Sequence, residues 1–240
     1  MSVSLGLALA FSLGAQSTSA MTDQHSPARD TAQSQSAATL DSRIEQAADL
    51  IKSQKPADAL TIIDTVIADF NSRYANSKVT LYAAQSGPES LAYMLKAAAH
   101  NQAAQVINEN WGTAFFLKGF ALVDVGRAEE SKAQFDKAIS LAPMNSQYLA
   151  ERGEWFKSRK EWAKAYVDFE AALEGADIAP ESVRIRLKGR ALRGMAFVRI
   201  EEGQLDQAEK LLKQALKINR DDERAKDELK LIKSMRRSAT

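Results

Sequence analysis

Residues 112–145 read GTAFFLKGFALVDVGRAEESKAQFDKAISLAPMN, and residues 146–179 read SQYLAERGEWFKSRKEWAKAYVDFEAALEGADIA. Set one beneath the other, Gly119 falls on Gly153, Ser131 on Ala165, Phe135 on Phe169 and Ala138 on Ala172, a period of 34 residues. The first copy carries Phe115-x-x-Lys118-Gly119-x-x-Leu122 and the second Leu149-x-x-Arg152-Gly153-x-x-Phe156. A third copy reads Leu192-x-x-Met195-Ala196, then Gly203, Ala208, Leu212 and Ala215. A fainter one uses Ala47, Ala59, Ile63 and Val66. In every copy the small residue of one segment is followed 12 residues later by a small residue of the next.

A glycine inside a helix costs about 1 kcal/mol of propensity. It is kept where two helices must approach closely, so Gly119 and Gly153 predict tight pairing against the segments of Ser131 and Ala165. Phe135, Phe169 and Leu212 then fill the space between successive pairs. A two-helix unit cannot bury its apolar face alone, so neighbours must stack. This pattern resembles the tetratricopeptide repeat family, with its W-x2-L-G-x2-Y, A-x3-F and P positions over 34 residues. The resemblance covers about residues 40–73 and 112–222. No copy has the tryptophan, Lys118 and Arg152 stand before the glycines, and only the copy at 112–145 ends in the expected proline, Pro143. The resemblance implies an all-α solenoid, a superhelix of antiparallel helix pairs whose concave face is lined by the first helix of each pair.

Punctuation sets the remaining boundaries. Residues 1–20 hold no charged side chain, and Val3 to Ala15 is almost wholly apolar. With Thr18-Ser19-Ala20 behind it, this run reads as a secretory signal peptide, although no Lys or Arg precedes it. Residues 21–39, rich in Ser, Gln, Thr and Ala, read as a flexible linker. Ser42-x-x-Glu45 opens a helix as a capping box, and Pro56 starts a second, giving a degenerate pair at 40–73. Residues 74–111 fall outside the repeat and read as an inserted helical element: Val79–Tyr82 as a short extended piece, Ser86-x-x-Glu89 opening a helix that continues, with a break near Asn101, to about Ile107. Repeats follow at 112–145, 146–179 and 180–222, the last with a first helix extended from Pro180. Residues 223–240 are a capping helix and tail.

Composition narrows the chemistry. The 240 residues include no Cys and two His, His25 and His100. Thiol catalysis, disulfides and Cys/His metal sites are thereby excluded. No apolar run reaches the ~20 residues of a spanning helix. His100 has no nucleophile elbow to serve. Glu129/Glu130 and Glu201/Glu202 are sequence neighbours that do not share a helix face. No Gly-rich phosphate loop occurs. The expectation is a non-enzymatic protein with no cofactor, no metal and no small-molecule substrate. Trp111, Trp155 and Trp162 read as packing residues, with an aromatic ligand platform as the second reading.

Arg184, Arg186, Lys188, Arg190 and Arg193 form a basic run, with Arg186, Arg190 and Arg193 on one helix face. Residues 184–240 hold 16 Lys+Arg against 9 Asp+Glu, while the whole chain carries a net charge of +1. Some members of the resembled family grip a chaperone peptide's C-terminal carboxylate with Lys and Asn on the first helices. Here the matching faces carry Phe116 and Phe120, then Ala150 and Glu154, so that clamp is absent. The functional expectation is a protein–protein interaction module of the bacterial cell envelope, periplasmic or secreted. A peptide or protein segment with an acidic flank would lie on Phe116, Phe120, Glu154, Arg190 and Arg193, with Arg184, Arg186 and Lys188 as a basic patch. Two alternatives rest on the same residues. One is an enzyme, or a non-catalytic subunit, acting through the 74–111 insertion. The other is an electrostatic nucleic-acid binder using the basic C-terminal third, against which the small net charge and the leader argue.

Overall fold

The computed structural model describes residues 27–238, with side chains from residue 39 onward. The leader at 1–20 and the first residues of the expected linker lie outside the described residues. Ten helices and two strands are present among those described: α1 (Pro27–Lys52), α2 (Pro56–Tyr74), β1 (Thr80–Ala84), α3 (Gly87–Ala99), β2 (Ala104–Asn108), α4 (Asn110–Asp124), α5 (Ala128–Leu141), α6 (Ser146–Ser158), α7 (Trp162–Gly175), α8 (Glu181–Glu201), α9 (Leu205–Ile218) and α10 (Glu223–Ser238).

The helices form an α-solenoid of pairs: α1/α2, α4/α5, α6/α7 and α8/α9, closed by α10. Each pair turns through one residue with left-handed backbone, at Gln54, Gly126, Lys160 and Gly203. Glycine takes that conformation without a Cβ penalty. Gln54 and Lys160 hold it because the packed helices on either side fix the turn. Phe135, Phe169 and Leu212 are fully buried, each on the second helix of its pair. α10 seals the last pair: Ala225 and Ile232 join Leu192, Ala196, Leu212 and Ala215 in one apolar cluster. Asp222 caps it, its Oδ1 accepting from the Ala225 N–H at 3.2 Å.

Two expectations need correction. The stretch 27–39, read as linker, belongs to α1. Pro27 suits the first turn of a helix, and the Ala, Gln and Arg residues behind it are good helix formers. The insertion is also not wholly helical. Residues 104–108, expected as helix, form β2, which pairs in parallel with β1 in the register Thr80↔Ala104 to Ala84↔Asn108. α3 is the crossover between them. Asn101, in the left-handed region at φ 52°, ends α3, and Val106-Ile107 favours extended backbone over helix through its β-branched side chains.

The insertion does not separate the first pair from the others in space. α2 lies directly against α4, with the rings of Phe70 and Tyr74 stacked on Trp111 at 5.6 and 5.5 Å. Lys118 of α4 pairs with Asp64 of α2 at 2.7 Å. The β1–α3–β2 unit is extruded from the joint and reaches along the connections between later pairs. Ser86 Oγ donates to the Ile178 carbonyl at 3.1 Å, and the Met144 N–H donates to Tyr93 Oη at 3.4 Å.

Candidate interaction surface on the first helices

The first helices α4, α6 and α8 carry the expected partner-facing residues, but in a different state of burial and charge. Phe116 is 1% exposed. Its ring stacks on Tyr148 at 4.8 Å and meets Phe120 edge-on at 4.9 Å. It is a core residue, not an exposed anchor, because α6 carries Tyr148 at the position that closes over it. Phe120 remains half-buried. One turn further along α4, Val123 is 45% exposed.

The two arginines expected as free cations are ion-paired inside the protein. Arg190 of α8 donates to Glu151 of α6 at 2.5 Å, with side chains 14% and 7% exposed. Burial pushes the Glu151 carboxyl up and Arg190 pulls it back down. Arg193 pairs with Asp222, on the connection before α10. Glu154 pairs with Lys157 one turn along α6, and Lys157 Nζ sits 4.5 Å from the centre of the Phe197 ring of α8. Of the basic patch, Arg184 donates to the Ala179 carbonyl at 3.0 Å, Lys188 pairs with Asp177, and Arg186 is exposed. Three cations of the basic run, Lys188, Arg190 and Arg193, are therefore neutralised by acids from the α7–α8 connection, from α6 and from the loop before α10. The run does not form a free cationic stripe.

Glu228 of α10 faces the same region. Burial raises its carboxyl to about 7, with Arg193 and Lys157 opposing. Sequence reasoning missed Val123, Lys157, Phe197 and Glu228. The repeat itself held a signal for Phe197. The residue after the small residue of each first helix is Phe120 after Gly119, Glu154 after Gly153 and Phe197 after Ala196, so the register points to Phe197 rather than to Arg190 or Arg193. The tryptophans pack: Trp155 Nε1 donates to the Ala128 carbonyl at 2.9 Å, Arg159 lies 3.5 Å over its ring, and Trp162 sits 6.2 Å from Phe197.

Comparison with known proteins agrees with this geometry. Tetratricopeptide repeat family models match residues 112–145 and 158–230. Over these residues the chain carries tetratricopeptide repeats. This family is one of protein–protein interaction scaffolds, generally non-catalytic. Among solved structures, PilF of Pseudomonas aeruginosa is similar with a TM-score of 0.58 at 12% identity, over 83% of this chain and 69% of that one. MamA of Desulfovibrio magneticus RS-1 is similar with a TM-score of 0.52 at 14% identity, over 82% of this chain and 85% of that one. At these identities the likeness is one of fold. No curated protein matches the chain. No described helix is long and apolar enough to cross a membrane.

Proposed function

We propose that this repeat protein is a non-enzymatic scaffold of the bacterial cell envelope that holds a peptide or protein segment against its first helices. The observation that carries the reading is the set Phe120, Val123 and Phe197. These apolar side chains stay partly open on the inner helices while the charges around them, Glu154–Lys157, Arg190–Glu151 and Arg193–Asp222, are already paired. An apolar anchor on the partner would therefore supply most of the affinity, since paired charges have little left to offer an acidic flank. The envelope location is supported by the uncharged apolar leader at 1–20. N-terminal sequencing of protein from the native cell should then start near Gln16 or Met21. An intact Met1 on cytosolic protein would remove that part of the reading.

The binding reading is tested by a photo-crosslinking residue placed at Val123 and, as a control, at Val167, which is 60% exposed on the second helix α7. Crosslinks in cells should form at 123 and not at 167. They should be lost in Phe120→Ala, because an interface anchor contributes about 2 kcal/mol or more. Equal crosslinking at both positions would sink the proposal. Arg190→Glu is unsuitable as a binding probe: it leaves Glu151 buried against a like charge, and breaking a buried pair costs about 3–5 kcal/mol of stability.

A further inference from the structure

Helix α3 has two apolar faces, and only one is covered. Tyr93 and Ala97 are buried, with the Tyr93 ring stacked on Tyr82 of β1 at 5.0 Å. On the opposite face Leu91 is 62%, Leu95 61% and Met94 41% exposed, and Ala98 continues the row at i, i+3, i+4, i+7. A helix apolar on both sides belongs in an interior. Exposed apolar side chains scattered singly are ordinary, but a contiguous row on one helix marks an interaction site. Among the described residues nothing covers this row.

The chemistry of the row selects its occupant. The helix carries two ionisable charges, Glu89 and Lys96. Glu89 lies on the buried face, donating nothing and accepting from the Gln85 N–H at 2.9 Å. Lys96 lies off the row, since successive residues turn by about 100°. The row thus has no cluster of cations to draw it to an anionic membrane or to an acidic partner, and none to repel a copy of itself. Its side chains are also arranged to fit themselves. Read antiparallel about a point between Met94 and Leu95, Leu91 falls opposite Ala98 and Met94 opposite Leu95. Leu91 then meets the small Ala98 at each end, and Met94 meets Leu95 twice in the middle, so the side chains can interdigitate as helix packing needs. We propose that the outer face of α3 packs against the same face of a second copy of this chain, antiparallel, across a two-fold axis between Met94 and Leu95.

Such an isologous contact is the commonest form of self-association. The helix spans only about 20 Å, so the area falls below the 1,200–2,000 Å² of standard stable interfaces, and the dimer should be reversible and concentration-dependent. Because the other side of the insertion is bonded to the connections at Met144 and Ile178, the pairing would join two solenoids through their insertions and present two first-helix surfaces at once. A segment joined to a second binding unit gains by effective concentration. The α3 contact is the same whatever those surfaces bind.

Sedimentation equilibrium of the full chain should show a mass that rises from monomer to dimer with concentration. Leu95→Glu should raise the dissociation constant about tenfold or more while leaving the melting temperature unchanged at concentrations where the parent chain is monomeric, because Leu95 is 61% exposed. The chain has no cysteine, so pairing can be read independently. Mixed Leu91→Cys and Ala98→Cys proteins should form a hetero-disulfide under mild oxidation, in excess over either homo-disulfide and over any disulfide made with Val167→Cys. A full chain that stays monomeric over the whole concentration range would overturn the proposal. So would undiminished dimerisation of Leu95→Glu, or Leu91→Cys pairing with itself in preference to Ala98→Cys.

Discussion

A Cβ built on Gly119 would overlap the Phe135 ring, and one on Gly194 would come within 2.5 Å of the Phe169 ring. Gly153 is looser, meeting Phe169 at 3.0 Å. Phe169 is therefore held between glycines of two successive first helices, one of its own pair and one of the next. Alanine would gain about 1 kcal/mol of helix propensity at each site. Overpacking a filled core costs about 1–3 kcal/mol. Gly119→Ala and Gly194→Ala should accordingly lower stability, and Gly153→Ala should be the mildest of the three. Denaturant unfolding at unchanged slope is the measurement; a rise in midpoint for both Gly119→Ala and Gly194→Ala would show that the rings move aside freely. Gly119 and Gly153 are legible in the 34-residue register. Gly194 is not, because the third copy places Ala196 at the matching position and the second close contact comes from the next repeat.

Glu109 sits where β2 passes into α4. Burial, with the charges of Glu89 and Asp41 added, raises its carboxyl to about 7. Asn110 donates to Asp41 beside it, and Tyr148 donates to or accepts from Thr113 at 3.1 Å. A carboxyl raised above its ordinary 4.5 binds its proton more tightly in the folded chain. The unfolded chain then holds fewer protons between about pH 4.5 and 7, so stability falls as pH rises through that window. Burial raises Glu89 as well, and Glu228 reaches about 7, so both act with the same sign. Glu109→Gln should raise the melting temperature at about pH 8 and change it little at about pH 5, where the native carboxyl is already protonated. An equal gain at both pH values would mean that Glu109 is ionised throughout. The strand β2 was not legible because its five residues follow a helix closely, and short apolar runs do not distinguish helix from strand. Its pairing with β1, distant in sequence, decides it.

At the scale of the molecule, a repeat array is stabilised by nearest-neighbour contacts and opens from its ends. α10 guards one end through Ile232, which is 1% exposed. Ile232→Ala should cost about 2–5 kcal/mol, concentrated in the last pair. Hydrogen exchange should rise over residues 181–238 while residues 110–175 stay protected. A uniform rise along the chain would show that the array unfolds as one unit instead. The same picture explains why the first pair is secure despite its faint pattern: Phe70, Tyr74 and Trp111 stack α2 onto α4 directly, so the insertion interrupts the sequence without interrupting the array.

The solenoid, its register and its turn positions follow from the sequence, because they rest on residue size at fixed spacing: Gly119 and Gly153, Ser131 and Ala165, Phe135 and Phe169. Size is a property each residue carries with it. What a charge or a ring does is different, since it depends on neighbours that only the superhelix supplies. Arg190 and Arg193 read as free cations on a helix face until Glu151 and Asp222, 39 and 29 residues away, come to meet them. Phe116 reads as an open anchor until Tyr148 of the next repeat stacks on it. Leu91, Met94 and Leu95 stand at helical spacing, and only the fold shows that Tyr93 and Ala97 take the inner side and leave that stripe outside. Local spacing fixes which helices form and how they pair; long-range packing fixes which of their side chains remain available to anything else.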